Sequence, residues 1–159
     1  MKLSRRRFLR SSSALAASAA LATRVAAAPA AEPVTAALVT AAQREGKLAF
    51  YTAMDLPVAE KFAKAFEAKY SGIAVRVERS GAERVFQRIG QEMSSNIHAV
   101  DVVNTADGAH IIVWKRNGWL APYVPEEVAQ HFPAQHHDPD GMSALTRAWL
   151  SSLGYNTNL

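Results

Sequence analysis

The chain is 159 residues long, with 18 Lys plus Arg against 14 Asp plus Glu, no cysteine and 49% hydrophobic residues. That balance fits one domain with an ordinary core and excludes collagen-like, disulfide-built and wholly disordered proteins. The formal charge of +4 invites a nucleic-acid role, but six basic residues (Lys2, Arg5, Arg6, Arg7, Arg10, Arg24) fall within the first 30 positions, which hold no acid, and the remainder has 12 basic and 14 acidic residues, a net of −2.

Residues 1–30 have a basic start, a weakly apolar middle over 14–22 and a small-residue end, the order of an export signal. The middle is too short and too rich in Ala and Ser to cross a bilayer, which takes about 20 strongly apolar residues. The run from Ser4 to Arg10 resembles the twin-arginine export motif, with Arg5-Arg6 and Phe8-Leu9 in register, and Arg24 after the apolar stretch agrees with it. A basic arm for RNA or DNA has no need of Phe8-Leu9 and the Ala/Leu run behind it. Ala28-Pro29-Ala30 favours cleavage after Ala30, giving two segments: a signal over 1–30 and a lobe over 31–159. Without cysteine there is no lipobox, so the expected product is not lipid-anchored.

From residue 33 helical and strand periods alternate, which predicts an α/β layer structure. Val34, Leu38, Val39 and Ala42 are spaced for a helix over 33–45, stopped by Gly46. A strand is predicted over 47–51, then a helix over 56–70 with Val58, Phe62, Ala65, Phe66 and Tyr70 on its apolar face. A strand over 73–77 leads to Ser80 and Glu83 in capping-box spacing and to a helix whose stripe is Val85, Phe86, Ile89 and Met93. A strand over 100–103 and a helix over 108–115, capped by Asp107 and closed by Asn117-Gly118, complete a pattern that calls for a parallel sheet. Pro122, Pro125, Pro133 and Pro139 then break the chain into short pieces before an apolar stretch over 144–155, read as a strand.

In such a sheet, ligands gather at the carboxyl ends of the strands. Those ends are residues 52–55, 80–83, 104–107 and 155–157, all rich in hydroxyl, amide or carboxylate side chains. A helix starting near Gly81 offers unpaired N–H groups and a partial positive charge to an anion, although Ser80 and Asp107 are also ordinary capping residues. No nucleophile elbow, Walker loop or H-E-x-x-H is present. His131, His136 and His137 lie with Asp138 and Asp140 in a Pro-rich stretch that reads as a solvated loop and, in the competing reading, as the metal site of a small exported metallohydrolase. His98, His110, Trp114, Trp119 and Trp149 read as structural, and without a basic surface around them no nucleic-acid role is expected.

Over residues 47–159 the chain resembles the N-terminal lobe of a periplasmic solute-binding protein of an ABC importer, of the iron(III)-type cluster. The resemblance rests on Tyr51-Thr52-Ala53, on Phe66-Glu67-Ala68-Lys69-Tyr70 with Gly72-Ile73-Ala74-Val75, and on Arg79-Ser80-Gly81-Ala82-Glu83. Further pieces are Val100-Asp101-Val102-Val103, the run Asn117-Gly118-Trp119-Leu120-Ala121-Pro122-Tyr123, and Gly154-Tyr155-Asn156-Thr157. It implies a type II periplasmic-binding-protein-like lobe, a three-layer αβα structure with a mainly parallel sheet, truncated relative to a two-lobed clamp that closes on solute by a hinge. It further implies a non-catalytic periplasmic protein without a cofactor, taking a small anionic or polar solute, iron or a chelated metal to an inner-membrane permease, after passage through the twin-arginine translocase. The ligand-binding residues expected on this basis are Thr52, Ala53, Asp55, Ser80, Gly81, Ala82, Asn104, Thr105, Tyr155 and Asn156, and no metal ligand is assigned. The family's first-loop histidine falls near Asp55, and its second-lobe tyrosine pair has no counterpart here.

Overall fold

The structure, a computed structural model, describes residues 29–147, 154, 156 and 157. The export motif at Arg5, Arg6, Phe8 and Leu9, as well as Trp149 and Tyr155, lies outside the described residues. Helix α1 (Ala36–Glu45) starts from Thr35, whose hydroxyl accepts from Leu38 N–H, and stops at Gly46, which at φ 68° supplies the left-handed C-terminal turn. Strand β1 (Lys47–Thr52) follows, then α2 (Leu56–Lys69), β2 (Ala74–Arg79), α3 (Ala82–Ser94), β3 (Val102–Asn104) and α4 (Gly108–Arg116). The short helix α5 (Glu126–His131) and a 3-10 turn (Ala134–His136) come last.

The three strands form a parallel sheet in the order β2-β1-β3, with Lys47 opposite Ala74 and Phe50 opposite Val102. The β1-to-β2 crossover and the β2-to-β3 crossover, which passes over β1, run in opposite directions across the sheet, which places α2 and α3 on opposite faces and gives the three-layer arrangement. One face holds the core: Ala49 and Tyr51 pack with Val85 and Ile89 of α3 and Trp114 of α4, flanked by Phe86, Met93, Val103, Ile111 and Trp119. The predicted α3 stripe is thus the buried one.

Several sequence expectations need correction. The buried face of α2 is Ala59 and Ala63, with Phe66 half-buried, while Val58 and Phe62 point outward and Phe62 is 55% exposed. Small side chains let the helix approach β2 closely, so size rather than hydrophobicity selects the packed face. β3 begins two residues later than predicted, because Asp101 spends its carboxylate on Ala49 N–H at 2.7 Å while its own N–H reaches Ala49 C=O at 3.1 Å. No strand is seen over 144–147; Ala144 makes only an antiparallel bridge to His137, and the rest of that stretch to residue 153, with Tyr155, lies outside the described residues. Glu32 pairs with the chain at the start of α5: its N–H donates to Val124 C=O at 2.9 Å and its C=O accepts from Glu126 N–H at 3.1 Å. No described helix is long and apolar enough to cross a membrane.

A polar network closes the edge of the core. Tyr51, 1% exposed, donates its hydroxyl to Glu92 Oε1 at 3.0 Å, and Arg88 lies 4.5 Å from the centre of the Tyr51 ring while binding Glu92 at 2.7 Å and pairing with Glu78. Arg76 joins Glu78 at 3.0 Å, so the outer strand β2 presents charges rather than an apolar edge. Burial, and then the neighbouring Glu92, raises the Tyr51 phenol above the ordinary tyrosine value. Glu92 Oε2 is buried without a partner, which leaves this carboxylate dependent on the bonds of its other oxygen. Tyr51→Phe should therefore cost about 1 kcal/mol in urea unfolding at neutral pH, the worth of one such hydrogen bond. A tyrosine held neutral in the fold loses its contribution as pH rises above about 10, where the unfolded chain ionises, so the wild type should lose stability there more steeply than Tyr51→Phe.

Candidate functional site

The carboxyl ends of all three strands meet at one edge, tied together through the end of β1. Thr52 C=O accepts from Ser80 N–H at 3.1 Å, and Ala53 N–H donates to Asn104 C=O at 3.2 Å. The Thr52 hydroxyl accepts from Met54 N–H at 3.0 Å and donates to Asn104 Oδ1 at 3.2 Å. Thr52 is wholly buried, so of the expected binding residues it is the one that positions the edge from beneath. Asn104 is likewise committed, its amide nitrogen donating to Thr146 Oγ1 at 3.2 Å.

Three helices start at this edge, and their N-termini differ. Asp107 caps α4 by accepting from Ala109 N–H at 2.8 Å. At α2 the N-cap Asp55 makes no side-chain capping bond, and Pro57 removes one N–H from the first turn. At α3 the N-cap is Gly81 rather than Ser80, again without a side-chain bond, and the first turn carries Glu83. The predicted Ser80–Glu83 capping box is therefore absent: the cap sits one residue later because Ser80 N–H is engaged by the sheet, and Glu83 accepts from Gln87 instead. Ser80 and Ala82 are half-buried, whereas Asp55 and Gly81 are exposed. With the Arg79 guanidinium anchored through Nε to Met54 C=O at 3.1 Å, this turn combines a fixed cation with the positive end of a helix.

Two residues of this edge escape a reading of the sequence. Arg79 reads as one more charge at the end of an alternating strand, and only the turn that places Met54 C=O above it gives it a place. His110 is buried at 6% exposure, stacked on Phe86 with ring centres 4.4 Å apart and planes 14° apart. Its Nδ1 lies 3.0 Å from Thr105 Oγ1, and its Nε2 lies 3.5 Å from Glu83 and 3.8 Å from Asp107. The available signal is the three-residue step from Asp107 to His110, which stacks the ring over the first turn of α4.

A groove of about 1260 Å³ opens on the β3 side of the edge and is lined by Met54, Asn104, Thr105, Asp107 and Lys115 among others. It includes Asn104 and Thr105 of the expected residues but not Thr52, Asp55, Ser80 or Gly81. Asn156 is exposed, and Tyr155 lies outside the described residues. The opposite wall is the stretch from 135 to 147, which is docked and not simply a solvated loop. Lys115 of α4 reaches Asp138 at 3.0 Å and Asp140 at 2.5 Å, Ser143 Oγ donates to Asp138 at 2.7 Å, and His137 is half-buried while His131 and His136 stay exposed. Gly141 at φ 71° turns the wall; a Cβ there would come within 2.7 Å of Val124.

The fold is thus part of a periplasmic-binding-protein-like lobe, and comparison with solved structures agrees. The chain is similar to iron-bound HitA from Pseudomonas aeruginosa, at 26% identity and a TM-score of 0.52 over 60% of this chain and 30% of that one. It is also similar to the ferric binding protein from Campylobacter jejuni, at 28% identity and a TM-score of 0.51 over 59% of this chain and 29% of that one. The chain spans less than a third of the length of either. No family model and no curated protein matches it.

Lys115 hydrogen-bonds Asp140 and holds its carboxyl below the usual carboxylate value. A carboxylate depressed in the fold stabilises above its unfolded value, near 4, and loses that contribution as pH falls further. Between about pH 5 and pH 3 the urea midpoint of the wild type should fall more steeply than that of Lys115→Met.

Proposed function

We propose that the chain is the binding lobe of an exported, non-catalytic solute-binding protein, which captures a small anionic or polar solute, iron or a chelated metal among them, for an ABC-type permease. The observation that carries this is the edge itself: three β–α turns drawn together by Thr52, in a fold similar to those of iron-bound HitA and the ferric binding protein. On this reading Arg79, Ser80 and the N–H groups of Gly81 and Ala82 hold an anionic group, Asp55 offers an exposed carboxylate, and Thr105 faces the groove. Thr52, Ala53 and Asn104 set these positions, and Tyr155 and Asn156 are assigned to the solute from the sequence alone. A facing lobe is part of the proposal because the match spans only 30% of the HitA chain.

The metallohydrolase reading finds no support among the described residues. Lys115 places an ammonium between Asp138 and Asp140, where a cation would have to sit, and no group of three potential ligands is found. Export rests on the sequence of residues 1–30 alone. Cleavage after Ala30 would keep the Glu32 pairing with Val124 and Glu126 in the product.

Titration calorimetry of the full chain with sulfate, phosphate and ferric citrate tests the site. A single lobe should bind in roughly the millimolar range, about −4 kcal/mol. Arg79→Ala should weaken the anions about tenfold, the loss of one charge-assisted hydrogen bond. No heat with any of the three, or anion affinities unmoved by Arg79→Ala, Ser80→Ala and Asp55→Ala together, would remove the proposed site. Export is tested by fractionation: the double variant Arg5→Lys and Arg6→Lys should leave uncleaved chain in the cytoplasm, and unchanged export of that variant would exclude the twin-arginine route.

A further inference from the structure

Among the described residues His110 is a buried ionisable side chain at the edge that the binding reading does not use, and its surroundings fix which nitrogen carries its proton. Nε2 faces two carboxylates, Glu83 from α3 at 3.5 Å and Asp107 from the β3–α4 turn at 3.8 Å, and a carboxylate can only accept. The hydrogen of the neutral ring therefore sits on Nε2, and Nδ1 is an acceptor. Its partner is the Thr105 hydroxyl at 3.0 Å. The remaining faces of the ring meet Phe86 and Trp114, with centres 4.4 Å and 5.9 Å away, so the imidazole has little freedom to turn.

The consequence falls on Thr105, whose hydroxyl has one hydrogen and two lone pairs. One lone pair is taken by Asp107 N–H at 3.2 Å. With His110 neutral, the hydrogen goes to Nδ1, and what remains for the groove is a lone pair. With His110 protonated, Nδ1 becomes a donor, the second lone pair of Thr105 is used, and its hydrogen is turned outward. Thr105 lines the groove, whereas His110 does not. We propose that His110 is a positioning residue that sets the polarity of Thr105: the hydroxyl presents an acceptor to the groove when the imidazole is neutral and a donor when it is protonated. This rests on the binding function proposed above and adds to it a proton-dependent preference for anions. Glu83 from α3 and Asp107 from the β3–α4 turn are the charged groups that face the ring.

The test has two arms on the full chain. In the first, nitrogen NMR of the histidine rings should show His110 as the Nε2–H tautomer at neutral pH, and Thr105→Val should shift it toward a mixture. An Nδ1–H tautomer, or a spectrum that Thr105→Val leaves unchanged, overturns the inference whatever the chain binds. In the second, sulfate is the probe, because its own charge is constant where histidine titrates. Sulfate affinity should rise about tenfold as pH falls from about 8 to about 5, the gain of one hydrogen bond to an anion. That rise should vanish in His110→Gln and be much reduced in Thr105→Val. A rise that Thr105→Val retains in full means that His110 acts by charge alone and overturns the hydroxyl switch. Sulfate binding that is independent of pH also overturns it while leaving the binding reading intact. Failure of sulfate to bind at either pH counts against the binding reading, and the NMR arm still decides the Thr105–His110 pairing.

Discussion

The hydroxyl of Thr52 is the contact on which the edge of the sheet depends. It sits at the end of the central strand, wholly buried, and serves the Met54 N–H on one side and the Asn104 amide on the other. The backbone of the same residue holds Ser80. Each of the three β–α turns is therefore referred to one residue, and the bonds from Arg79 to Met54 and from Ala53 to Asn104 add direct ties between neighbouring turns. A valine of nearly the same shape would leave a buried N–H without its partner, a loss that costs more than the bond contributes. The exposed residues of the edge are placed by a residue that is itself wholly buried.

Much of the architecture is legible in the sequence because it follows from period and punctuation. The α3 stripe from Val85 to Met93, the Asp107 cap and the Gly46 and Gly118 stops are local patterns, and local patterns survive folding. What the sequence hides is long-range. Asp101 looks like a strand residue until its carboxylate is seen on Ala49, 52 positions away, and Ser80 looks like a helix cap until its N–H is seen on Thr52. The packed face of α2 is hidden for another reason: alanine carries little hydrophobic signal, yet at Ala59 and Ala63 its small size brings helix and strand together.

The edge residues divide in the same way. Asp55, Ser80, Gly81 and Thr105 follow from the rule that ligands gather where parallel strands end. Arg79 and His110 follow from no such rule, since their roles are set by Met54 C=O and by the pair of Glu83 and Phe86, all brought in from other elements. The Pro-rich wall shows the opposite error. Its histidines and carboxylates suggest metal chemistry by composition, and it is Lys115, on a different element, that turns Asp138 and Asp140 into a clasp.

The edge carries charge of both signs. Acidic residues stand at all three helix starts, Asp55, Glu83 and Asp107, where the helix dipole favours them. At α4 that preference is spent internally, because Asp107 takes an N–H of its own helix. At α2 and α3 no side chain does so, and the N-cap of α3 is a glycine with no side chain to compete with a ligand. Arg79 is anchored to Met54, the residue next to Asp55, so a fixed cation and an exposed carboxylate emerge from two adjoining turns. A bare anion would meet the attraction of Arg79 and the repulsion of Asp55 together. On the binding function proposed above, the positive end of α3 adds to the attraction of Arg79, so an oxyanion is held on the α3 side of the edge, away from the Asp55 carboxylate.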